Sequence, residues 1–175
     1  MRKILFAIAI LSCFCFAECK KNKHRPPPDN PYGLPNASQE GKDIFACRVN
    51  GENWISEKGL YNIGGGVSDD SLYVRGTNHE RGVERIYLLI NDIIQEDTAY
   101  MIDGINKITF TTTKLCGTEI INFYSYEAHG GEIRISKIDR TNRVISGTFF
   151  FNVIRNNCSS DTLHFTDGRF DIRFN

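Results

Sequence analysis

The residues best suited to chemistry are two His/Glu pairs. His79 is followed directly by Glu80, and His129 is separated from Glu132 by two glycines. An imidazole close to a carboxylate is a common arrangement in general acid–base catalysis. The two pairs predict one candidate activity, a hydrolase of a cell-envelope polymer with its site at the rim of the domain near His79 and His129. Isolated pairs of this kind are mostly loop residues, so the catalytic residues stay unknown.

The sequence lacks the motifs of other common sites. Gly64-Gly65-Gly66 precede a predicted strand and not a helix, so they do not predict a phosphate-binding loop. Asp69-Asp70 are not followed by a spaced series of calcium ligands. The sequence contains no G-x-S-x-G motif and no Cys-x-x-Cys or His-x₃-His pair. We therefore expect no metal and no cofactor.

Three of the six cysteines lie beyond residue 19, and their positions predict two roles. Cys47 alternates with Phe45 and Val49, so we expect its side chain to lie in the core. Cys116 and Cys158 lie between predicted strands, and we expect them to form a disulfide in an oxidising compartment. In the chain-entropy model, closing a loop of about 42 residues is worth roughly 4 kcal/mol.

The composition indicates one globular domain that does not bind nucleic acid. The chain has 175 residues, with 21 Lys and Arg against 21 Asp and Glu, so its formal net charge is zero. A nucleic-acid-binding protein normally carries a basic excess or a basic stripe. The 15 glycines and 12 phenylalanines, with few alanines, favour strands over helices.

The amino terminus has the layout of a bacterial export signal. Two basic residues precede an apolar run (4–17) that is shorter than the roughly 20 residues needed to span a bilayer. Cys19 stands at the boundary between this run and two lysines, and we expect it to be lipidated. Glu18 occupies the position where lipidation signals have a small residue, so Cys13 is the alternative, and cleavage without lipid is the third.

These features divide the chain into three parts. Residues 1–18 are predicted to form a lipoprotein signal peptide, residues 19–42 a proline-rich tether and residues 43–175 a single β domain. The tether contains all five prolines, and Pro26–Pro28 favour extended polyproline II structure. The predicted location is the cell envelope, lipid-anchored to the outer membrane and facing either the periplasm or the cell surface.

From residue 43 onward, short β-rich runs are separated by Gly, Asn and Asp, which is typical of antiparallel strands. The predicted strands lie near 43–49, 53–57, 60–64, 71–77, 83–91, 98–102, 107–113, 119–126, 132–138, 144–154, 161–166 and 169–174. Asn50-Gly51 and Asp167-Gly168 are type I′ hairpin signals. The predicted fold is all-β, an antiparallel β-sandwich or flattened barrel of about 10–12 short strands.

The last predicted strand alternates between two faces. Its apolar residues are expected to face the core: Phe170, Ile172 and Phe174. Its charged residues are expected to face water: Arg169, Asp171 and Arg173.

Two other predicted strands are apolar on both faces, which is typical of covered strands. Their second faces carry Tyr87, Leu89, Phe150 and Ile154. One interpretation is coverage by a loop, by a second sheet or by the segment that contains Leu34-Pro35. The other is an exposed patch that binds a partner.

The sequence also resembles an uncharacterised Bacteroidetes lipoprotein family, a domain of unknown function. The resemblance rests on a start of the form LP-x-x-[ST]-Q-x-G followed by VNG-x-x-W, and on an end of the form I-x-G-T-F followed by TDGRFD. The matching residues are Leu34-Pro35, Ser38-Gln39, Gly41, Phe45, Cys47, Val49-Asn50-Gly51, Trp54, Ile145–Phe149 and Thr166–Asp171. Each of these also has a structural role in a β domain, so the motif indicates membership and not mechanism.

Together these observations predict a membrane-tethered lipoprotein of the cell envelope that acts as a non-catalytic binding or structural module. Its expected partners are the lipid bilayer, through an acyl anchor, and an envelope glycan or protein. The envelope-polymer hydrolase is the alternative.

Overall fold

The computed structural model describes residues 32–80, 82–116, 118–156 and 161–174. In these ranges the chain forms ten strands and no helix. The strands are β1 (Ile44–Val49), β2 (Glu52–Ile55), β3 (Ile63–Val67), β4 (Leu72–Asn78), β5 (Glu84–Ile90), β6 (Thr98–Met101), β7 (Lys107–Leu115), β8 (Thr118–Asp139), β9 (Val144–Arg155) and β10 (Asp161–Arg173). The predicted signal peptide, Cys13, Cys19 and Cys158 lie outside the described residues.

The strands form one antiparallel sheet in the order β2-β1-β10-β9-β8-β7-β5-β4-β3, with β6 paired to β8. The sheet curls into a half-barrel. Its two ends meet where Ser56, just after β2, contacts Thr77 in β4. Ser56 Oγ accepts a hydrogen bond from the Thr77 N–H and lies within hydrogen-bonding distance of the Thr77 carbonyl, both at 2.9 Å. The predicted antiparallel all-β fold is confirmed.

The concave face of the half-barrel holds the hydrophobic core. The rings of Phe151 and Phe165 stack with 4.1 Å between their centroids, and Phe45 lies 5.1 Å from Phe149. Trp54 is 1% exposed. Full burial of a large apolar side chain contributes about 1.5–3 kcal/mol, so this aromatic cluster is a main source of the stability of the fold.

The inward positions predicted from strand alternation are confirmed. Phe170, Ile172 and Phe174 are all buried in the core. Cys47 is fully buried and free, as its alternation with Phe45 predicts.

Two pairs of predicted strands are single long strands. The predicted strands 119–126 and 132–138 are parts of β8, and 161–166 and 169–174 are parts of β10. The predicted hairpin at Asp167-Gly168 is therefore wrong, because this pair forms a bulge where the register between β10 and β9 shifts. Asp167 has a φ of 53°, a conformation that bulges and turns share. The predicted turn at Asn50-Gly51 joins β1 to β2.

Residues 32–43, which we call the strap, lie against the outer face of the sheet around β10. Leu34 in the strap is 2% exposed. Three outward-pointing residues of the sheet are buried on this face, namely Ala46, Ser146 and Asp171. The prediction that Asp171 faces water is therefore wrong. Its side chain does point away from the core, but the strap covers it.

Candidate functional site

The strap is anchored by the buried carboxylate of Asp171. The backbone N–H groups of Gly41, Lys42 and Glu40 donate to its oxygens at 2.8, 3.0 and 3.3 Å. Ser146 Oγ donates a further hydrogen bond at 2.7 Å. Burial alone raises the pKa of the Asp171 carboxyl, but the hydrogen bonds from Lys42, Ser146 and Gly41 outweigh it and lower the pKa below its usual value. The ionised carboxylate therefore fixes the path of the strap.

Further contacts hold the strap through its carbonyl groups. Arg169 Nη1 donates to the Pro35 carbonyl at 3.2 Å, and Lys137 Nζ donates to the Gln39 carbonyl at 3.1 Å. Because these bonds go to the backbone, they set where the strap runs whatever side chains it carries.

A groove runs beside the strap across the outer faces of β8, β9 and β10. It consists of two adjoining cavities of about 380 and 520 Å³. Both cavities are lined by Ala37 from the strap, Thr148 from β9 and Arg169 from β10. We call it the strap groove.

The strap groove contains an exposed aromatic ring. Phe150 points outward from β9 and is 50% exposed. Glu132 lies opposite Phe150 on β8, and Asp167 lines the same cavity from the β10 bulge. With Arg169 at the other side, the groove offers one apolar ring face surrounded by hydrogen-bond donors and acceptors. This combination suits a ligand that has an apolar face and many hydroxyl groups.

The predicted patch residues lie on two strands that are not neighbours. Tyr87 and Leu89 are half-buried on the outer face of β5, where Leu89 is opposite Tyr73. Phe150 and Ile154 lie on the outer face of β9, and β7 and β8 separate the two pairs. Three strand spacings correspond to roughly 14 Å along the sheet. Of the four, Phe150 is the one that lines the strap groove.

The residues of the predicted rim site are not brought together. His79 follows β4, and its Nδ1 lies 2.9 Å from Glu57 Oε2, a partner that the sequence did not reveal. The backbone N–H of the neighbouring Glu80 donates to Asn78. His129 and Glu132 lie on β8, and β5 and β7 separate β8 from β4.

Several residues of the strap groove were given no functional role by the sequence. Thr148, Asp167 and Arg169 all belong to the two motifs at the end of the chain that carry the family resemblance. The motifs pointed to these residues, but they gave no indication that the strap forms a groove beside them.

The described part of the chain contains no candidate metal site, and its buried cysteine is not suited to catalysis. No group of three or more His, Cys, Asp or Glu there is placed to hold a metal ion. Burial raises the pKa of the Cys47 thiol well above its usual value, so this cysteine stays protonated and is a poor nucleophile. Cys116 is exposed in the turn between β7 and β8.

Among the described residues, no helix has the length and apolar character needed to cross a membrane. Residues 42–171 match the family model described as a domain of unknown function, DUF6252. No curated protein and no solved structure matches the chain. The match confirms the coarser part of the resemblance, an uncharacterised domain family.

Proposed function

This chain belongs to the DUF6252 family, and we propose that it is a lipid-anchored module of the cell envelope that binds an envelope glycan in the strap groove. The binding is non-catalytic. The proposed anchor is an acylated Cys19, or Cys13 as the alternative, in the outer membrane, and it is supported by the sequence of the leader.

The observation that carries the glycan proposal is the position of Phe150. A half-exposed phenylalanine contributes little to the core, but its ring face provides an apolar surface for one side of a sugar ring. Glu132 and Asp167 stand at the edge of the same cavity as acceptors for sugar hydroxyl groups.

The donor side of the groove is preorganised. Arg169 donates from Nη1 to the Pro35 carbonyl and from Nε to the Asp167 carbonyl at 3.4 Å, which fixes its guanidinium at the groove. A fixed donor loses less conformational entropy when a ligand binds, so it favours affinity. The strap therefore supports the site by holding Arg169 as well as by forming one wall.

The alternative of an envelope-polymer hydrolase gains no support from the geometry. Glu132 is in the strap groove and forms a 3.2 Å ion pair with Arg134, whereas His79 contacts Glu57 at another part of the sheet. General acid–base catalysis needs both groups within reach of one substrate bond.

The test is sedimentation of the purified chain with envelope polysaccharide, using peptidoglycan sacculi and lipopolysaccharide as separate probes. We expect Phe150→Ser to abolish binding to the polysaccharide that the unmodified chain binds. The matched control is Phe123→Ser, because Phe123 is also 50% exposed but lies on another part of β8. Loss of binding in both variants, or in neither, would contradict the proposal, as would failure of the unmodified chain to bind either probe.

We also propose the disulfide between Cys116 and Cys158. The strands that precede the two cysteines, β7 before Cys116 and β9 before Cys158, finish at the same end of the antiparallel sheet. This common position supports the pairing, because a disulfide needs Cα atoms within about 7 Å of each other.

A further inference from the structure

Three loops lie at the end of the sheet opposite the Asn50-Gly51 turn, beside the hairpin between β8 and β9 (residues 140–143). These are residues 68–71 between β3 and β4, residues 91–97 between β5 and β6, and residues 102–106 between β6 and β7. We call these loops, with the adjoining Met101, the tip. In the antiparallel sheet, β4 and β7 run in the same direction as β1. Because β1 finishes at the Asn50-Gly51 turn, β4 and β7 begin at the opposite end, which is the tip.

The tip exposes three large apolar side chains. Ile93 is 65% exposed, Met101 57% and Ile105 61%. Soluble proteins rarely group exposed apolar side chains unless they bind a partner. The tip is therefore a candidate interaction surface.

Hydrogen bonds hold these side chains on ordered loops. Asn106 Nδ2 donates to the Met101 carbonyl at 3.3 Å, and Asn91 Nδ2 donates to the Ile105 carbonyl at 3.0 Å. The Tyr100 hydroxyl donates to the Ile93 carbonyl at 2.9 Å. A surface that is fixed before binding loses less entropy on association than a mobile one.

The charge of the tip is mainly negative. Arg140 of the neighbouring β8–β9 hairpin forms a 3.3 Å ion pair with Asp69, but the three loops themselves contain no Lys, Arg or His. They carry six carboxylates, namely Asp69, Asp70, Asp92, Glu96, Asp97 and Asp103. Backbone hydrogen bonds from Asn106 and Ile105 lower the pKa of Asp103, which keeps it ionised at neutral pH. Because the whole chain has no net charge, this concentration of negative charge is a local feature.

An anionic bilayer, a second copy of the tip and a basic, apolar protein segment are the three candidate partners of the apolar surface. The charge of the tip distinguishes between them. An anionic bilayer is repelled by this excess of carboxylates, and a symmetric contact between two tips brings the negative excess of one tip against that of the other. A segment with basic and apolar side chains satisfies both properties of the tip. We propose that the tip is a docking surface for a partner protein that presents a basic, apolar segment.

The test measures binding of a short fluorescent peptide of alternating Lys and Leu to the mature chain without its lipid. We expect binding that weakens as salt is raised, and the triple variant I93S/M101S/I105S to lower the affinity by at least about tenfold. Asp97→Asn removes one charge, and we expect it to lower the affinity by a smaller factor. Asn also tolerates the φ of 55° at this position.

The matched control is the double variant L60S/Y61S, which removes two side chains that are 83% and 89% exposed in the loop between β2 and β3. This control should bind the peptide like the unmodified chain. Equal binding of a matched Glu/Leu peptide, or unchanged binding by the triple variant, would overturn the proposal. A dimer, or binding to phosphatidylglycerol vesicles, that the triple variant alone loses would assign the tip to another occupant and overturn it too.

Discussion

At the scale of single residues, the Asp171 carboxylate is the group on which the strap depends most. It accepts hydrogen bonds from three consecutive backbone N–H groups and from Ser146. Hydrogen bonds to a charged group contribute about 1.5–3 kcal/mol each, partly offset by the cost of burying the charge. Without the carboxylate, those N–H groups lose their acceptor in a covered site.

We predict that Asp171→Asn lowers the free energy of unfolding by about 1–3 kcal/mol, because the amide keeps the shape but loses the charge and gains donors that face donors. Urea denaturation at neutral pH measures this change. Asp97→Asn is the control, since this exposed carboxylate should change stability by less than about 0.5 kcal/mol. Equal stability of the two variants would contradict the role given to Asp171.

The same variant has a distinct pH dependence. The pKa of Asp171 is lower in the folded chain than in the unfolded chain, so the unfolded state binds more protons under acidic conditions. Its contribution to stability is therefore complete above the unfolded pKa of about 4 and is lost as the pH falls through the folded value. We expect the difference in stability between the unmodified chain and Asp171→Asn to shrink in this acidic range.

The cysteines give a second prediction at this scale. Non-reducing peptide mapping should recover one linked pair that contains Cys116 and Cys158. Cys47 should react with iodoacetamide only after unfolding, because it is buried and its thiol pKa is raised. A crosslinked peptide that contains Cys47 would contradict both assignments.

At the scale of elements, the middle of β3 packs closely against β10 and β4, which explains why it carries a glycine. A Cβ atom at Gly65 would lie 2.5 Å from Ile172 Cδ1 and 2.6 Å from the Tyr73 carbonyl oxygen, whereas one at Gly64 would come no closer than 3.5 Å to any atom. Gly65 therefore serves the contact between β3 and β10. This accounts for the middle glycine of a run that the sequence left without a role.

We predict that Gly65→Ala lowers the free energy of unfolding by about 1–3 kcal/mol through overpacking. Gly64→Ala is the matched control, because it adds the same methyl group to the same strand where there is space. We expect it to be neutral or slightly stabilising. Thermal or urea unfolding of the two variants measures the difference, and equal effects would mean that the β3–β10 contact is not tight.

The strands themselves were largely predictable from sequence, but the breaks between them were not. Alternation located the inward residues of β1 and β10 because each strand has one face in the core. The Asp167-Gly168 pair misled the prediction because Asp and Gly at positive φ form bulges as well as hairpins. Long-range pairing with β9 decides between the two, and local sequence does not contain it.

The strap groove was predictable only in part for a similar reason. Phe150 was identified because it breaks the alternation of its strand. Asp171 was placed in water because nothing in its own strand indicates that a segment about 130 residues earlier covers it. A site formed between distant segments leaves no signal in either segment alone.

At the scale of the whole molecule, the strap defines where the domain is attached to its tether. The strap starts at Tyr32, whose carbonyl accepts a hydrogen bond from Asn53 at 2.9 Å and whose ring lies 3.7 Å from the Arg48 guanidinium. Both partners flank the Asn50-Gly51 turn. A pull on the tether therefore reaches the domain at this end, and the tip lies at the other end of the sheet.

The proposed anchor, Cys19, precedes the strap in the sequence, and its modification is directly testable. Intact-mass analysis of the chain extracted from membranes should give a product that starts at Cys19 and carries a diacyl or triacyl adduct. Cys19→Ser should release the chain from the membrane fraction, whereas Cys13→Ser should leave it there, because Cys13 lies within the apolar run that is removed. A product that starts at Cys13, or an unmodified soluble chain, would contradict the assignment. In the first case the tether would begin at Cys13, and in the second the chain would carry no lipid anchor.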